Sequence, residues 1–239
     1  PGLSPHAPGG GPRDAVLTFM MRSHPTRTVV FDLDGTLVDS LTLVLAAIRH
    51  AIEPFGGRTS QDIFARLGGP PESFLGSLVP DRAQVPEAVR RMARYHREHG
   101  HLIRPYAGTH RLLEALRRCG VQLAVWTGRD RASTDSLLET HRLGEHLEVV
   151  VCGDDLPTHK PDPAGLREIL ARLGAAADAT VLVGDADVDV LGGHACGVDT
   201  ILIRHEREIG GEILAKAWRT ADTPEDAYAL VRQVVGAGE

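Results

Sequence analysis

From Thr28 onward, short runs of apolar residues alternate with segments whose apolar residues recur at helical spacing. The apolar runs are TVVFDLDG (28–35), VQLAVWTG (121–128), LEVVVCGD (147–154), ATVLVGDA (179–186) and DTILIR (199–204). They are rich in Val, Ile and Leu without polar alternation, which is typical of strands covered on both faces. Strands and helices in this rhythm predict an α/β fold with a doubly wound parallel sheet.

Two of the helical segments have readable ends. In DPAGLREILARLG, Asp162 is the predicted N-cap and Gly174 the predicted stop. In THRLLEALRRCG, Thr109 is predicted to begin the helix and Gly120 to end it. Both segments therefore fit the crossover helices that a parallel sheet requires.

The alternation breaks once, after the first strand. SLTLVLAAIRHAI (40–52), SQDIFARLG (60–68) and PEAVRRMARYHREHG (86–100) are typical of helices, and no strand is predicted among them. A single crossover does not need so much chain. We therefore predict a helical cap domain over residues 39–104, inserted into a core formed by residues 27–38 and 105–239. Its two crossings, near residues 38–40 and 104–108, are the expected hinges of a moving cap.

Composition narrows the class of protein. With 42% apolar and 24% charged residues and a net charge of −6, the chain is typical of a soluble globular protein. The negative charge argues against nucleic acid or an anionic membrane as a partner. Residues 1–26 are rich in Pro and Gly and lack a signal-peptide pattern, so they predict a disordered lead-in. No apolar run approaches the ~20 residues of a membrane span, and the sequence predicts no oligomeric state.

Cysteine and histidine usage gives two further expectations. Cys119, Cys152 and Cys196 are an odd number without CxxC spacing, which predicts buried, reduced thiols and a cytoplasmic location. The histidines of YHREHGH (95–101) form the densest cluster in the chain. Because the cluster lies at a predicted helix end, we interpret it as a solvated helix terminus rather than a zinc site.

Polar residues follow the strands at their carboxyl ends, where ligands bind in an open α/β sheet. The first strand supplies Asp32 and Asp34, the second Thr127, the third leads to Lys160, and the fourth supplies Asp185 and Asp189. Several carboxylates in one crevice repel each other and need a cation, and oxygen ligands favour Mg²⁺. A hydroxyl and an ammonium nearby suit phosphoryl oxygens. Lys160 is notable because the chain has 24 arginines and only two lysines.

This set resembles the haloacid dehalogenase superfamily of phosphatases. DLDGT (32–36), the threonine of WTG (126–128), KP (160–161) and GDADVD (184–189) resemble the four motifs of that superfamily, in its order. The resemblance runs from about Val29 to Val198 and includes the inserted cap. It implies an α/β core with a helical cap and a small phosphorylated metabolite as substrate.

The resemblance also implies roles for single residues. Asp32 would be the nucleophile that forms an aspartyl-phosphate, and Asp34 the general acid and then the base. Thr127, Gly128 and Lys160 would hold the phosphoryl group. The implied Mg²⁺ ligands are Asp32, Asp34 through its backbone carbonyl, Asp185, and Asp189, the last as ligand or as orienter of Lys160. Gly35 would permit the turn after the first strand, and Gly184 would let backbone approach the ion.

Several reactions remain open within the superfamily. Asp34 argues against dehalogenation, and the absence of lysine from residues 39–104 excludes a Schiff base from the cap. LGGPPESFL (67–75) and CGDDLPTHKPDP (152–163) resemble the phosphoglycolate phosphatase branch, which includes pyrophosphatase-like members. TGR (127–129) departs from the asparagine and lysine common in that branch. A β-phosphoglucomutase-like phosphotransferase stays the alternative, and a non-catalytic phosphate-binding domain is a third hypothesis.

The cap is rich in arginine, and most of these side chains are expected on solvated faces. Its nine arginines are Arg49, Arg58, Arg66, Arg82, Arg90, Arg91, Arg94, Arg97 and Arg104. Arg49 lies in an apolar helix and Arg66 just before a glycine loop. We hypothesise that one of these two contacts an anionic leaving group.

Overall fold

The structure, a computed structural model, describes residues 25–59, 71–205 and 207–237. Its strands are β1 (Thr28–Phe31), β2 (Val38–Asp39), β3 (Arg104–Pro105), β4 (Gln122–Trp126), β5 (Val149–Val151), β6 (Thr180–Gly184), β7 (Asp199–Ile203) and β8 (Arg219–Ala221). Six of them form a parallel sheet in the order β5–β4–β1–β6–β7–β8. The five predicted strands and the parallel α/β class are confirmed, whereas β8 was not predicted.

The helices of these residues lie between the strands and in the insert. They are α1 (Leu41–Ile52), α2 (Pro71–Leu75), α3 (Val85–His99), α4 (Thr109–Arg118), α5 (Arg131–Thr140), α6 (Ala164–Leu173), α7 (Asp187–Cys196), α8 (Gly211–Leu214) and α9 (Pro224–Val235). The predicted N-cap of α6 is wrong by one residue. Pro163 occupies that position, and Asp162 instead accepts a hydrogen bond from the Ala164 amide through its side chain.

The two faces of the sheet bury different side chains of the same strands. In β1, Val29 and Phe31 join one apolar cluster with α4 and α9, while Val30 joins another with α6. In β4, Val125 and Trp126 divide between the two clusters in the same way. Because successive side chains of a strand point to opposite faces, helices on both faces require continuous apolar runs.

The insert has an apolar cluster of its own. Its α1 packs on α3, and the buried residues of the cluster are Val44, Ala47, Ile48, Ala51, Ile52, Leu75, Val79, Ala88 and Met92. The predicted helix over residues 60–68 lies outside the described residues. A helical cap inserted after β1 is therefore present, while its limits at residues 39 and 104 stay a prediction.

A short ladder ties the two crossings between cap and core. In it, β2 and β3 pair antiparallel, with Val38 opposite Pro105 and Asp39 opposite Arg104. The Tyr106 amide also donates to the Leu37 carbonyl at 3.1 Å. The ladder coincides with the expected hinges, whose motion stays a prediction.

The expectations for the cysteines, for membrane spans and for the N-terminal segment have different outcomes. The thiols of Cys119, Cys152 and Cys196 are all free, but the predicted burial holds only for Cys152, since Cys196 is half-buried and Cys119 is exposed. Among the described residues, none of the helices combines the length and the apolar character that crossing a bilayer requires. The predicted disordered lead-in falls almost entirely on residues 1–24, outside the described ranges, and the cytoplasmic location stays a prediction.

Candidate active site

The turn after β1 presents the first two carboxylates. The Asp32 amide donates to the Val183 carbonyl of β6 at 2.8 Å, which continues the sheet by one residue. The chain then turns at Gly35, whose φ of +77° is a conformation that favours glycine. A Cβ on Gly35 would lie 2.4 Å from an oxygen of Asp185. The glycine therefore permits both the turn and the close approach of the β6 end.

Three carboxylates meet at the ends of β1 and β6. One oxygen from each of Asp32, Asp185 and Asp189 lies within 4.8 Å of the others, and all three residues are buried. A Cβ on Gly184 would lie 2.4 Å from Cγ of Asp189, so this glycine makes room for a carboxylate. The predicted set of acids is thus brought together, apart from the side chain of Asp34.

Lys160 lies between two of these acids. Its Nζ donates to Oδ1 of Asp32 and to Oδ1 of Asp189, each at 2.6 Å, and its side chain is 2% exposed. The same Nζ lies 4.9 Å from the ring centroid of Trp126, which is buried in the core. Asp189 also accepts from the Ala186 amide at 3.0 Å. Asp189 is therefore in contact with Lys160, and its two expected roles, metal ligand and orienter of Lys160, stay predictions.

The single positive charge of Lys160 does not compensate for the burial of the three carboxylates. Burial raises the pKa of Asp32 to about 7, although the charge of Lys160 acts against this. Burial, Asp32 and Asp189 hold the pKa of Asp185 well above its usual range. For Lys160, the two carboxylates outweigh burial and raise its pKa. The carboxylate oxygens form a hard, oxygen-only donor set that fits a divalent cation such as Mg²⁺.

Asp34 is held apart from this group by a different cation. Nε of Arg129 donates to Oδ2 of Asp34 at 3.0 Å, and Nη2 donates to Oδ1 at 2.5 Å. Ser40 donates to the same Oδ1 at 2.5 Å. Burial favours the neutral acid, but the charge of Arg129 and the hydrogen bonds from Arg129 and Ser40 together outweigh it and hold the pKa of Asp34 below its usual range. The metal contact expected from the Asp34 carbonyl stays a prediction.

Thr127 and Gly128 follow β4 into the same crevice. Thr127 is buried, its amide donates to the Val151 carbonyl at 3.0 Å, and its hydroxyl oxygen accepts from the Arg129 amide at 3.1 Å. A Cβ on Gly153 would lie 2.3 Å from the Gly128 carbonyl oxygen. The loop after β4 is thereby packed closely against the loop after β5.

A cavity of about 120 Å³ joins the cap to this crevice. Its described core wall contains Asp32, Asp34, Thr127, Gly128, Arg129, Asp130, Ser133, Lys160, Asp185, Ala186 and Asp189. Its described cap wall contains Leu41, Val44, Pro71, Phe74, Met92 and His96. One wall is therefore charged and the other is largely apolar.

The interpretation of the histidine cluster as solvated is wrong for His96. This side chain lines the cavity, and its Nε2 is buried with no hydrogen-bond partner among the described residues. Burial first, and then the charge of Arg129, lower its pKa to about 4. His99, one turn further on, instead stacks on Tyr95 at a centroid distance of 4.1 Å.

The two cap arginines proposed as substrate contacts have different outcomes. Arg49 is exposed on α1, whose opposite face is buried in the cap cluster, and it does not line the described cavity. Arg66 lies outside the described residues, so its substrate contact stays a prediction. The arginine that sequence reasoning missed is Arg129. Its signal was the departure of TGR from the motif, which was noted without a role.

Known proteins resemble this chain over most of its length. The family model described as haloacid dehalogenase-like hydrolase matches residues 29–203. Pyrophosphatase PpaX of Halalkalibacterium halodurans is 33% identical over 178 residues, which cover 74% of this chain and 82% of that protein. A phosphoglycolate phosphatase of Cupriavidus necator is 34% identical over 197 residues, which cover 77% and 83%.

Solved structures share the fold. A hydrolase from Pseudomonas syringae superposes with a TM-score of 0.76 at 25% identity, over 87% of this chain and 99% of that chain. A phosphatase from Clostridium acetobutylicum superposes with a TM-score of 0.73 at 20% identity, over 88% and 100%. The inserted helical cap therefore belongs to a known architecture.

Proposed function

This chain belongs to the haloacid dehalogenase-like hydrolases, and from that premise we propose that it hydrolyses a small phosphate monoester through an aspartyl-phosphate on Asp32. Family and relatives make it a phosphatase that acts on phosphate esters. The observation that carries the finer proposal is the buried contact of Lys160 with Asp32 and Asp189, beside Asp185. That contact gathers a nucleophile and a phosphoryl-binding cation at one sheet edge.

The reaction has two steps. First, an oxygen of Asp32 attacks phosphorus, the bond from phosphorus to the leaving oxygen breaks, and Asp34 gives that oxygen a proton. Second, water attacks phosphorus, Asp34 takes a proton from it, and the bond to Asp32 breaks. Lys160, the Thr127 hydroxyl and the Gly128 backbone donate hydrogen bonds to phosphoryl oxygens, which stabilises charge in both transition states.

The donor set of the three buried carboxylates supports a bound Mg²⁺. Asp32 and Asp185 would hold it with the Asp34 carbonyl, and Asp189 would hold Lys160 in place. When bound, the ion neutralises charge on the phosphoryl oxygens and on the crowded acids. Burial of these acids, which raises the pKa of Asp32 and Asp185, is the structural reason that a cation is needed.

The substrate proposed first is phosphoglycolate or a similar small ester. Similarity to the phosphoglycolate phosphatase of Cupriavidus necator supports it, and similarity to pyrophosphatase PpaX supports inorganic pyrophosphate as the second candidate. A β-phosphoglucomutase-like transfer would use the same Asp32 and Asp34. Its substrate, β-glucose 1-phosphate, therefore belongs in the same set of assays.

Phosphate release tests the proposal. We expect Mg²⁺-dependent release from p-nitrophenyl phosphate and from at least one of 2-phosphoglycolate, pyrophosphate and β-glucose 1-phosphate. Asp32→Asn should reduce turnover to background because it removes the attacking oxygen. The control Asp162→Asn, at an exposed turn position, should retain turnover. An acid-quenched reaction should carry a phosphoryl group on Asp32 by mass spectrometry. Unchanged turnover in Asp32→Asn would refute the proposal, whereas absence of turnover in the wild-type protein would favour a non-catalytic phosphate-binding domain.

A further inference from the structure

The pairing of Asp34 with Arg129 has no part in the reaction as described above. Two nitrogens of the guanidinium and the hydroxyl of Ser40 donate to the two oxygens of Asp34. The Arg129 side chain is 8% exposed and the Asp34 side chain 23% exposed. Both residues line the cavity, so the pair lies where the leaving group of a substrate must fit.

In this position Asp34 is arranged as an acceptor. A carboxylate held by three donors is stabilised in its ionised form, and the forked pairing with arginine also fixes its orientation. The proposed function needs Asp34 to face the leaving oxygen and give it a proton. The observed pair is therefore a resting arrangement, and Asp34 must leave Arg129 before it can act.

Leaving Arg129 is costly unless another anion replaces the carboxylate. Withdrawal of one partner from a buried ion pair is strongly unfavourable because it leaves an uncompensated charge. Three of the other four acids of the described cavity wall have partners of their own, and the fourth, Asp185, lies in the carboxylate group with Asp32 and Asp189. Asp32 and Asp189 bind Lys160, and Asp130 binds the amide and the hydroxyl of Ser133. The replacement must therefore arrive with the substrate.

We propose that an anionic group on the leaving portion of the substrate takes the place of Asp34 on Arg129 and thereby frees Asp34 to reach the leaving oxygen. This inference rests on the proposed function and makes its substrate class narrower. The class is phosphate esters or anhydrides that carry a second anionic group, a carboxylate or a phosphate, close to the phosphoryl group that is transferred.

The cap wall agrees with this assignment. Its described lining is apolar apart from His96, whose half-buried imidazole carries no compensating charge at neutral pH. Among the described lining residues the cations are Lys160 and Arg129. Because Lys160 serves the transferred phosphoryl group, Arg129 is the cation that remains for a second anion.

Substrates that differ only in the second charge test the exchange. The pair is 2-phosphoglycolate and ethyl phosphate, whose leaving groups do and do not carry a carboxylate. p-Nitrophenyl phosphate is the reference, because its phenolate leaves without needing a proton from Asp34. For the wild-type protein we expect kcat/KM for phosphoglycolate to exceed that for ethyl phosphate by a factor of about 30 or more, the order of a charge-assisted bidentate contact.

Arg129→Met removes the charge and retains much of the side-chain length. We expect it to lower kcat/KM for phosphoglycolate about 30-fold more than kcat/KM for ethyl phosphate, with the loss on p-nitrophenyl phosphate close to that on ethyl phosphate. Arg129→Lys, which keeps the charge without the fork, should lie between wild type and Arg129→Met, with KM affected more than kcat. The matched control Arg131→Met removes a neighbouring arginine that binds Asp155 outside the cavity, and it should keep the wild-type preference.

Three results would overturn the inference. The first is a wild-type protein that shows no preference for a substrate with a second charge. The second is an Arg129→Met variant that keeps the preference. The third is an equal loss of kcat/KM on all three substrates, which would mean a structural role for Arg129. Failure of the proposed function is a separate outcome. It would appear as wild-type protein that does not hydrolyse p-nitrophenyl phosphate with Mg²⁺, or as turnover that survives Asp32→Asn.

Discussion

At the scale of single residues, the site uses its two described cations in different ways. Lys160 is a point charge that two carboxylates share, each 2.6 Å from Nζ. Arg129 is a planar fork that holds one carboxylate by both of its oxygens. The two side chains are not interchangeable, because an ammonium can move to phosphoryl oxygens while a guanidinium favours planar, two-oxygen partners. In the reaction that we propose, this difference would assign Lys160 to the transferred phosphoryl group and Arg129 to the leaving group.

The histidine in the cap wall should make stability depend on pH. The pKa of His96 is about 4 in the folded protein, below the ordinary 6.5, because burial and the charge of Arg129 disfavour the imidazolium. Between pH 6.5 and 4 the unfolded chain therefore binds a proton that the folded chain does not. The free energy of unfolding is therefore unaffected by this histidine above pH 6.5. As the pH falls from 6.5 towards 4, it decreases by about 2–3 kcal/mol.

Urea denaturation of His96→Gln tests this dependence. The variant should lose less free energy of unfolding than wild type between pH 7 and pH 4.5, since its side chain does not titrate. His99→Gln, on the same helix but outside the cavity, corrects for the general effect of replacing a histidine there. Parallel curves for wild type and His96→Gln would contradict the assignment of a buried imidazole.

At the scale of secondary structure, close packing of helices on strand ends holds the site residues. Helix α6 lies so near β4 that a Cβ on Gly165 would approach Nε1 of Trp126 to 2.3 Å. Trp126 in turn lies against Nζ of Lys160. One crossover helix is therefore connected to Lys160, the proposed phosphoryl-binding residue, through a single indole ring.

Gly165→Ala should disturb this contact. Because a methyl group would overpack the helix against the indole, we expect a loss of about 1–3 kcal/mol in the free energy of unfolding, with reduced turnover. The matched control is Gly100→Ala, at the end of α3, where φ is −56° and a Cβ meets nothing within 4 Å. There the same substitution should be neutral or stabilising by up to about 1 kcal/mol. Equal effects in the two variants, measured by chemical denaturation, would contradict the packing argument.

At the scale of the whole molecule, the acid cluster joins elements from distant parts of the chain. Asp32 follows β1, Asp185 follows β6, and Asp189 lies in the first turn of α7. Without a cation these buried carboxylates repel one another and oppose the packing that brings the elements together. A bound cation would therefore stabilise the fold as well as serve the reaction.

Thermal unfolding with and without Mg²⁺ tests this coupling. At about 100 times its dissociation constant the ion should add about 2.7 kcal/mol to stability, which corresponds to a rise in Tm of about 5–10 °C for a chain of this size. EDTA should reverse the rise. Asp185→Asn should abolish it without lowering the metal-free Tm, because the substitution removes one of the repelling charges. A rise that persists in Asp185→Asn would mean that the ion binds elsewhere.

Whether a strand could be predicted depends on whether its sequence pattern is local. The strands around β1, β4, β5, β6 and β7 were predictable because their apolar runs are local and long enough to read. The sequence RTA of β8 is short and polar, and it becomes a strand because β7 offers it a free edge. Pairing of that kind is a property of the assembled sheet.

The candidate site likewise has features that the sequence predicts and features that depend on the assembled fold. By itself, the sequence determined that Asp32, Asp34, Thr127, Lys160 and Asp185 share one edge, because parallel strands end on the same side of a sheet. Only the tertiary structure decided which charges pair across it. Arg129 lies 95 residues from Asp34 along the chain, and His96 enters the cavity because α1 and α3 pack with that side of α3 towards the core. Helical periodicity shows that a helix has a buried face, but the three-dimensional packing decides what that face meets.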